Sequence, residues 1–329
     1  MDEVPKFRPG EVFRTFLRLG LTAFGGPIAH LGYFRNEIVL KRRWLDEEDF
    51  ADLVALCQFL PGPASSQVGF ALGLLRGGAL GGLAAWTAFT LPSAILLVIF
   101  AYGADRLSGP GGQAVLHGLK LAAVAVVAQA VWGMARSLAP DRHRAGIALV
   151  ALVLVTFAGG AAGQIAAITV GALAGLALCR GLQGAARGSM RFPISRRVGA
   201  ALLSLFALLL AVALIGATAG GAQVVQLFSA FYRSGALVFG GGHVVLPLLQ
   251  SAVVDPAWVT NGQFLAGYGA AQAVPGPLFT FAAYLGAVTG PSPHGVAGAV
   301  IALVAIFLPG LLLVAGMIPF WDALRSRPL

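Results

Sequence analysis

The chain has 329 residues, 58% of them hydrophobic and 11% charged, with 45 glycines and a formal net charge of +9. An average soluble domain carries about 25% charged residues, so this composition argues against a soluble globular enzyme, and the basic excess fits loops flanking a membrane better than a nucleic-acid surface. The cysteines Cys57 and Cys179 form no CxxC pair and the five histidines do not cluster, which leaves no basis for a metal site, a cofactor or nucleophilic catalysis.

In chain order, Asp2, Glu3, Lys6 and Arg8 open the sequence without the apolar core of a cleavable signal peptide. An apolar stretch over 12–40 is interrupted at Gly25-Gly26-Pro27 and ends at Lys41-Arg42-Arg43. Trp44 reads as an interfacial anchor, and Asp46-Glu47-Glu48-Asp49 as a solvated helix start. A second stretch over 50–75 is interrupted at Pro61-Gly62-Pro63 and ends at Arg76. The clearest bilayer-crossing candidates follow: Ala79–Ala104, Gln113–Met134, Gln164–Leu178, Val198–Ala219 and Gly295–Met317. The class is an all-α polytopic membrane protein.

The chain also repeats itself. Phe16, Arg18, Gly20, Phe24, Gly25 and Gly26 match Phe231, Arg233, Gly235, Phe239, Gly240 and Gly241 in register. Trp44, Phe50, Gln58, Pro61, Gly62 and Pro63 match Trp258, Phe264, Gln272, Pro275, Gly276 and Pro277. With small gaps, Leu72-Gly73 falls on Leu285-Gly286 and Pro92 on Pro309. The reading is a first repeat over 12–180, a basic linker over 181–197 and a second repeat over 198–329. After Asp105 the first repeat continues through three further apolar segments, whereas seven residues follow Asp322, so the expectation is either a naturally short second half or one lacking the last segments of a longer parent.

Basic residues set the orientation. Residues 1–100 hold nine Lys or Arg, whereas residues 221–320 hold only Arg233. A cytoplasmic N-terminus, together with Lys41-Arg42-Arg43 and Arg76 on the same side, makes 12–40 and 50–75 re-entrant. Residues 79–104 then cross outward, 112–137 cross back, and the hairpin 145–179 returns to the inside. The second repeat begins on the far side, after residues 198–219 have crossed. The two repeats thus have inverted topology, an arrangement that in secondary transporters brings discontinuous helices together near the midplane.

A backbone break at membrane depth is tolerated only against protein or a wet cavity. Pro63 and Pro277 suit the first position of a new half-helix, whose free N–H groups carry partial positive charge. Ser65, Ser66 and Thr280 add hydroxyls in those first turns, and together the ends would cradle an anion. Helix ends contribute roughly 0.3–1 kcal/mol each, less than the several kcal/mol needed to bury an ion, so fixed cations are also required. Arg18 and Arg233 each lie six residues before a Phe-Gly-Gly break and carry the planar fork that suits a tetrahedral oxyanion. Lys120 is a third, weaker candidate. His30 and His243 do not occupy equivalent repeat positions and read as packing or gating residues.

FGGPIAHLGYFRNEIV, QFLPGPASSQ, FGGGHVVLPLL and QAVPGPLFTFAAYLG together resemble the chromate ion transporter family, over nearly all of 12–104 and 229–320. The resemblance implies a bacterial inner-membrane carrier, N-terminus cytoplasmic, that extrudes chromate, a sulfate analogue, using the proton motive force. Its motif positions in this chain are Arg18, Phe24, Gly25, Gly26, Pro27, Gln58, Pro61, Gly62 and Pro63, then Arg233, Phe239, Gly240, Gly241, Gly242, His243, Gln272, Pro275, Gly276 and Pro277. That these residues bind the anion is inferred from the break chemistry. The alternatives are transport of sulfate or another oxyanion, and a flippase for a phosphorylated lipid carrier. A homodimer is left open.

Overall fold

The computed structural model describes residues 8–104, 141–158, 160–178, 192–216, 222–239 and 244–325, with isolated positions between 111 and 139. Most of 112–137, Lys120 within it, and most of the linker 181–197 lie outside the described residues. The chain divides into two units. One comprises Met1–Ala123 with Ala186–Leu329, and the other Val124–Ala185.

The larger unit begins with α1 (Pro9–Thr22), α2 (Gly26–Phe34) and a π-helical continuation of α2 (Arg35–Lys41). Then come α3 (Glu47–Phe59) and α4 (Ala64–Ala104). Asp46 caps α3 by accepting the Asp49 N–H at 2.8 Å. A straight helix of that length would span about 60 Å, twice the bilayer core. Instead α4 folds back on itself at Gly77 and Gly78, whose dihedrals leave the helical region. Its legs, 64–76 and 79–104, run side by side so closely that a Cβ on Gly73 would strike the Gly81 carbonyl. Arg76 thereby ends the first leg on the same face as Lys41 and Arg42, as their charges require.

That face is tied together by charge. Glu11 pairs with Arg42 at 3.4 Å and Arg76 at 3.2 Å, while Glu37 pairs with Arg42 at 2.9 Å and Lys41 at 3.4 Å. The Arg42 and Arg76 guanidinium groups lie 5.8 and 5.4 Å from the centre of the Trp44 ring. These pairs are only partly shielded from solvent, so the network, more than any one pair, fixes the register of α1 against α4.

The second set repeats the plan. Here α7 (Arg196–Gly216) precedes α8 (Gln223–Ala236), α9 (Val245–Val253), α10 (Asn261–Ala273), a 3₁₀ turn (Leu278–Thr280), α11 (Phe281–Val288) and α12 (Gly295–Arg325). Thr260, the repeat partner of Asp46, caps α10 in a capping box with Gln263. Gly286 meets the Gly298 carbonyl as Gly73 meets that of Gly81. A Cβ on Gly20 would come within 2.7 Å of the Phe89 carbonyl, and one on Gly235 would strike the equivalent Ile306 carbonyl. The charges are not repeated, however. Where Arg76 faces Trp44, Gly290 donates its N–H to the Trp258 carbonyl at 2.8 Å. Of the spans expected from sequence, α7 and α12 have the length and composition to cross a bilayer, as does the second leg of α4.

The smaller unit contains α5 (Arg142–Ala158) and α6 (Gly160–Leu178), packed against each other as an apolar hairpin. Asp141 opens α5, accepting the Arg144 N–H at 2.9 Å.

The glycine contacts make a specific demand. Gly235→Ala pushes a methyl into a backbone carbonyl that cannot move aside and is expected to destabilise the protein by about 1–3 kcal/mol. Gly10→Ala, in a helical turn with nothing within 4 Å of the added methyl, should instead hold stability or raise it by up to about 1 kcal/mol. Thermal unfolding of the two variants in detergent compares them directly.

Candidate functional site

The two Pro-Gly-Pro breaks meet the residues that directly precede the two Phe-Gly-Gly sequences. Gly62, in the first Pro-Gly-Pro, donates its N–H to the Val238 carbonyl at 2.7 Å. Gly276, in the second, donates to the Ala23 carbonyl at 2.9 Å. Ala23 and Val238 are repeat partners, each directly before a Phe-Gly-Gly, so each Pro-Gly-Pro reaches across to the opposite Phe-Gly-Gly. Reciprocal contacts of this kind are the mark of a two-fold relation.

Only glycine fits these two positions. Gly62 has φ +121° and Gly276 φ +107°, a region that L side chains rarely adopt. A Cβ on Gly62 would lie 3.1 Å from Gly310 Cα, and one on Gly276 would lie 2.8 Å from Ser93 Oγ. Gly310 follows Pro309 and Ser93 follows Pro92, the prolines inside α12 and the second leg of α4. Each break therefore seats on the proline turn of the other repeat, where the ring has removed a helical N–H.

Side chains complete the junction unequally. Gln67 is fully buried and donates its Nε2 to the Pro61 carbonyl at 2.9 Å and the Gly310 carbonyl at 3.1 Å. Those two acceptors fix its amide orientation and leave Oε1 without a partner. Ser65 is buried, its Oγ 3.4 Å from His30 Nδ1. The Ser66 Oγ is buried with no partner. In the second repeat the Thr280 hydroxyl donates to the Pro277 carbonyl at 2.7 Å and so is already committed locally. Gln272 donates to the Tyr268 hydroxyl at 2.8 Å, whereas its partner Gln58 is exposed.

The two arginines differ. Arg18 is exposed on α1, and its carbonyl accepts the Thr22 hydroxyl. Arg233 is partly buried in the last turn of α8, its Nε on the Ser229 carbonyl at 3.3 Å, where its charge also complements the helix end. Gly25 and Gly26 cap α2 with positive φ. Gly240, Gly241, Gly242 and His243 lie outside the described residues. Among the described residues no group of three or more His, Cys, Asp or Glu could hold a metal ion.

Four participants carry little signal in the sequence. Ala23 and Val238 act through backbone carbonyls, which leave no residue-type mark beyond their place in the repeat. Gln67 and His30 have no counterpart in the second copy. The arrangement brings the first turn of α4 and buried hydroxyls to where the two repeats cross, and a helix start favours negative charge.

Comparison with known proteins places this arrangement in context. The family model described as "Chromate transporter" matches residues 10–177 and 225–329. A "Chromate transport protein" from Pseudomonas aeruginosa is 30% identical over 96% of this chain and 73% of its own length. A "Probable chromate transport protein" from Synechococcus elongatus is 29% identical over 98% of this chain and 79% of its own. A "Chromate transport protein" from Cupriavidus metallidurans is 26% identical over 98% and 77%. No solved structure matches the chain.

The reciprocal bonds predict energetic coupling. Gly62→Ala and Gly276→Ala should each cost about 1–3 kcal/mol through forced backbone strain. Their effects should not add, because the first change already disrupts the junction that the second would disturb. A double-mutant cycle on unfolding midpoints measures that interaction.

Proposed function

The chain belongs to the chromate transporter family, and from that footing we propose that it is a secondary transporter that exports chromate, with sulfate as a competing tetrahedral oxyanion. Transport runs by alternating access around the crossed breaks, is driven by the proton motive force and operates in the bacterial inner membrane with the N-terminus cytoplasmic. The observation that carries this reading is the reciprocal pair Gly62–Val238 and Gly276–Ala23. It joins two broken-helix repeats through backbone alone and leaves helix-start N–H groups beside it for an anion.

Rocking one repeat against the other about this junction would expose the site to one face and then the other. The N–H groups at the start of α4, with Ser65 and Ser66, supply donors to the oxyanion. Arg233 supplies the nearby fixed charge on the second repeat, and Arg18, on an exposed face, meets the anion on its way in. The asymmetric basic cluster of Lys41, Arg42 and Arg76 marks the cytoplasmic face, from which chromate enters.

In proteoliposomes the protein should carry chromate under an imposed pH gradient, and excess sulfate should suppress the flux. Arg233→Ala should lower flux at least tenfold. Absence of flux from folded, reconstituted protein, or undiminished flux after Arg18→Ala and Arg233→Ala together, overturns the proposal.

A further inference from the structure

His30 is the side chain that joins three of the four breaks. It is fully buried on α2, just past the first Phe-Gly-Gly break. Its Nδ1 lies 3.4 Å from the Ser65 hydroxyl, in the first turn after the first Pro-Gly-Pro. Its ring also borders the backbone of Ala23, whose carbonyl already accepts the N–H of Gly276 from the second Pro-Gly-Pro. The ring is held edge-on to Phe89, with centroids 5.3 Å apart, and Phe34 packs on the same phenyl. Its Nε2 has no hydrogen-bond partner, and neither has the Ser66 Oγ beside Ser65. A buried ring nitrogen without a protein partner is a position that a ligand oxygen can satisfy.

The anion poses the matching problem. A dianion brought to this junction meets helix-start N–H groups and hydroxyls but no fully buried arginine or lysine among the described residues. We propose that His30, as a proton-carrying ligand, adds the fully buried charge that the partly shielded Arg233 does not provide. When the oxyanion arrives, Nε2 takes one proton supplied by the acid form of the bulk buffer and donates the new N–H to an anion oxygen, while Nδ1 keeps its contact with Ser65. Neither charge is stable in this apolar setting alone, so the site binds anion and proton together. The equivalent position in the second repeat is Val245, so the device exists once per chain.

The surrounding ionisable groups do not take this role. From α4, His30 faces the Ser65 hydroxyl and the Phe89 ring, and Arg76 at the far end of that leg is paired with Glu11. In the π-helical continuation, Arg35 pairs with Glu47, and Glu37 with Lys41 and Arg42. On α1, Arg14 and Arg18 are exposed. The rival proton carrier is Asp52, a buried carboxylate on α3 that accepts the Trp321 Nε1–H at 3.0 Å.

The inference rests on the oxyanion reading above, and calorimetry separates the two. Sulfate is the probe, because it stays fully deprotonated near neutral pH and any proton taken up must go to the protein. Titrating sulfate into the purified full chain in two buffers of different ionisation enthalpy should show about one proton taken up per anion. Affinity should fall roughly tenfold per pH unit above the midpoint. His30→Gln should reduce the proton count to near zero and make the remaining, weaker binding insensitive to pH, while Asp52→Asn should keep the count. Binding without proton uptake in the unaltered protein overturns the inference whatever the variants do. So does a count that survives His30→Gln or disappears in Asp52→Asn. Absence of binding by sulfate and chromate at every pH overturns the oxyanion reading and this inference with it.

Discussion

A backbone amide inside a membrane protein has to find its partner within the protein, because hydrocarbon offers none. In this chain that constraint falls on two glycine N–H groups, Gly62 and Gly276, each of which finds a carbonyl in the other repeat. The rest of the architecture is arranged around those bonds. The prolines on either side of each glycine end one helix and start the next, and Pro92 and Pro309 open the helical surface on which each break sits. The close contacts at Gly20 and Gly235, and at Gly73 and Gly286, bring the long helices near enough for the crossing to close.

On this two-fold skeleton the side chains are deliberately unequal. The first repeat holds the ion-pair network of Glu11, Glu37, Arg42 and Arg76, the Gln67 bridge to α12, and His30. The second repeat substitutes a backbone bond at Trp258, a Gln272–Tyr268 pair and a Thr280 hydroxyl turned to its own chain. In the alternating-access mechanism proposed above, two states related by rocking need similar backbones so that they lie close in energy, and the two-fold skeleton would supply them. Binding and direction need chemistry that breaks the equivalence, and the first repeat's polar groups would supply that.

Much of this plan was legible in the residues. The repeat located the breaks at Gly25-Gly26, Pro61-Gly62-Pro63 and Pro275-Gly276-Pro277, and the glycines and prolines identified them as breaks, because those residues act through local backbone geometry. The charge of Arg76 required the chain to return to one face, and the fold-back at Gly77 and Gly78 is how it does so. What was not legible is tertiary. Which carbonyl a glycine N–H reaches, whether the Thr280 hydroxyl points outward, and how far Arg18 and Arg233 are shielded all depend on neighbours distant in sequence. His30 illustrates the limit: a lone histidine without a repeat partner resembles ordinary packing until Ser65, Ala23 and Phe89 are seen around it.

The crossing also sets a schedule for the chain's birth. When the first repeat leaves the ribosome, the Gly62 N–H and the Ala23 carbonyl have no partners, since Val238 and Gly276 are not yet made. At about 5–20 residues per second, that interval is on the order of ten seconds to under a minute. During that time the first repeat sits in the membrane with its central bonds unmade, dependent on water or the insertion machinery to cover them. The junction that joins the two repeats thus cannot close until the second repeat has been made.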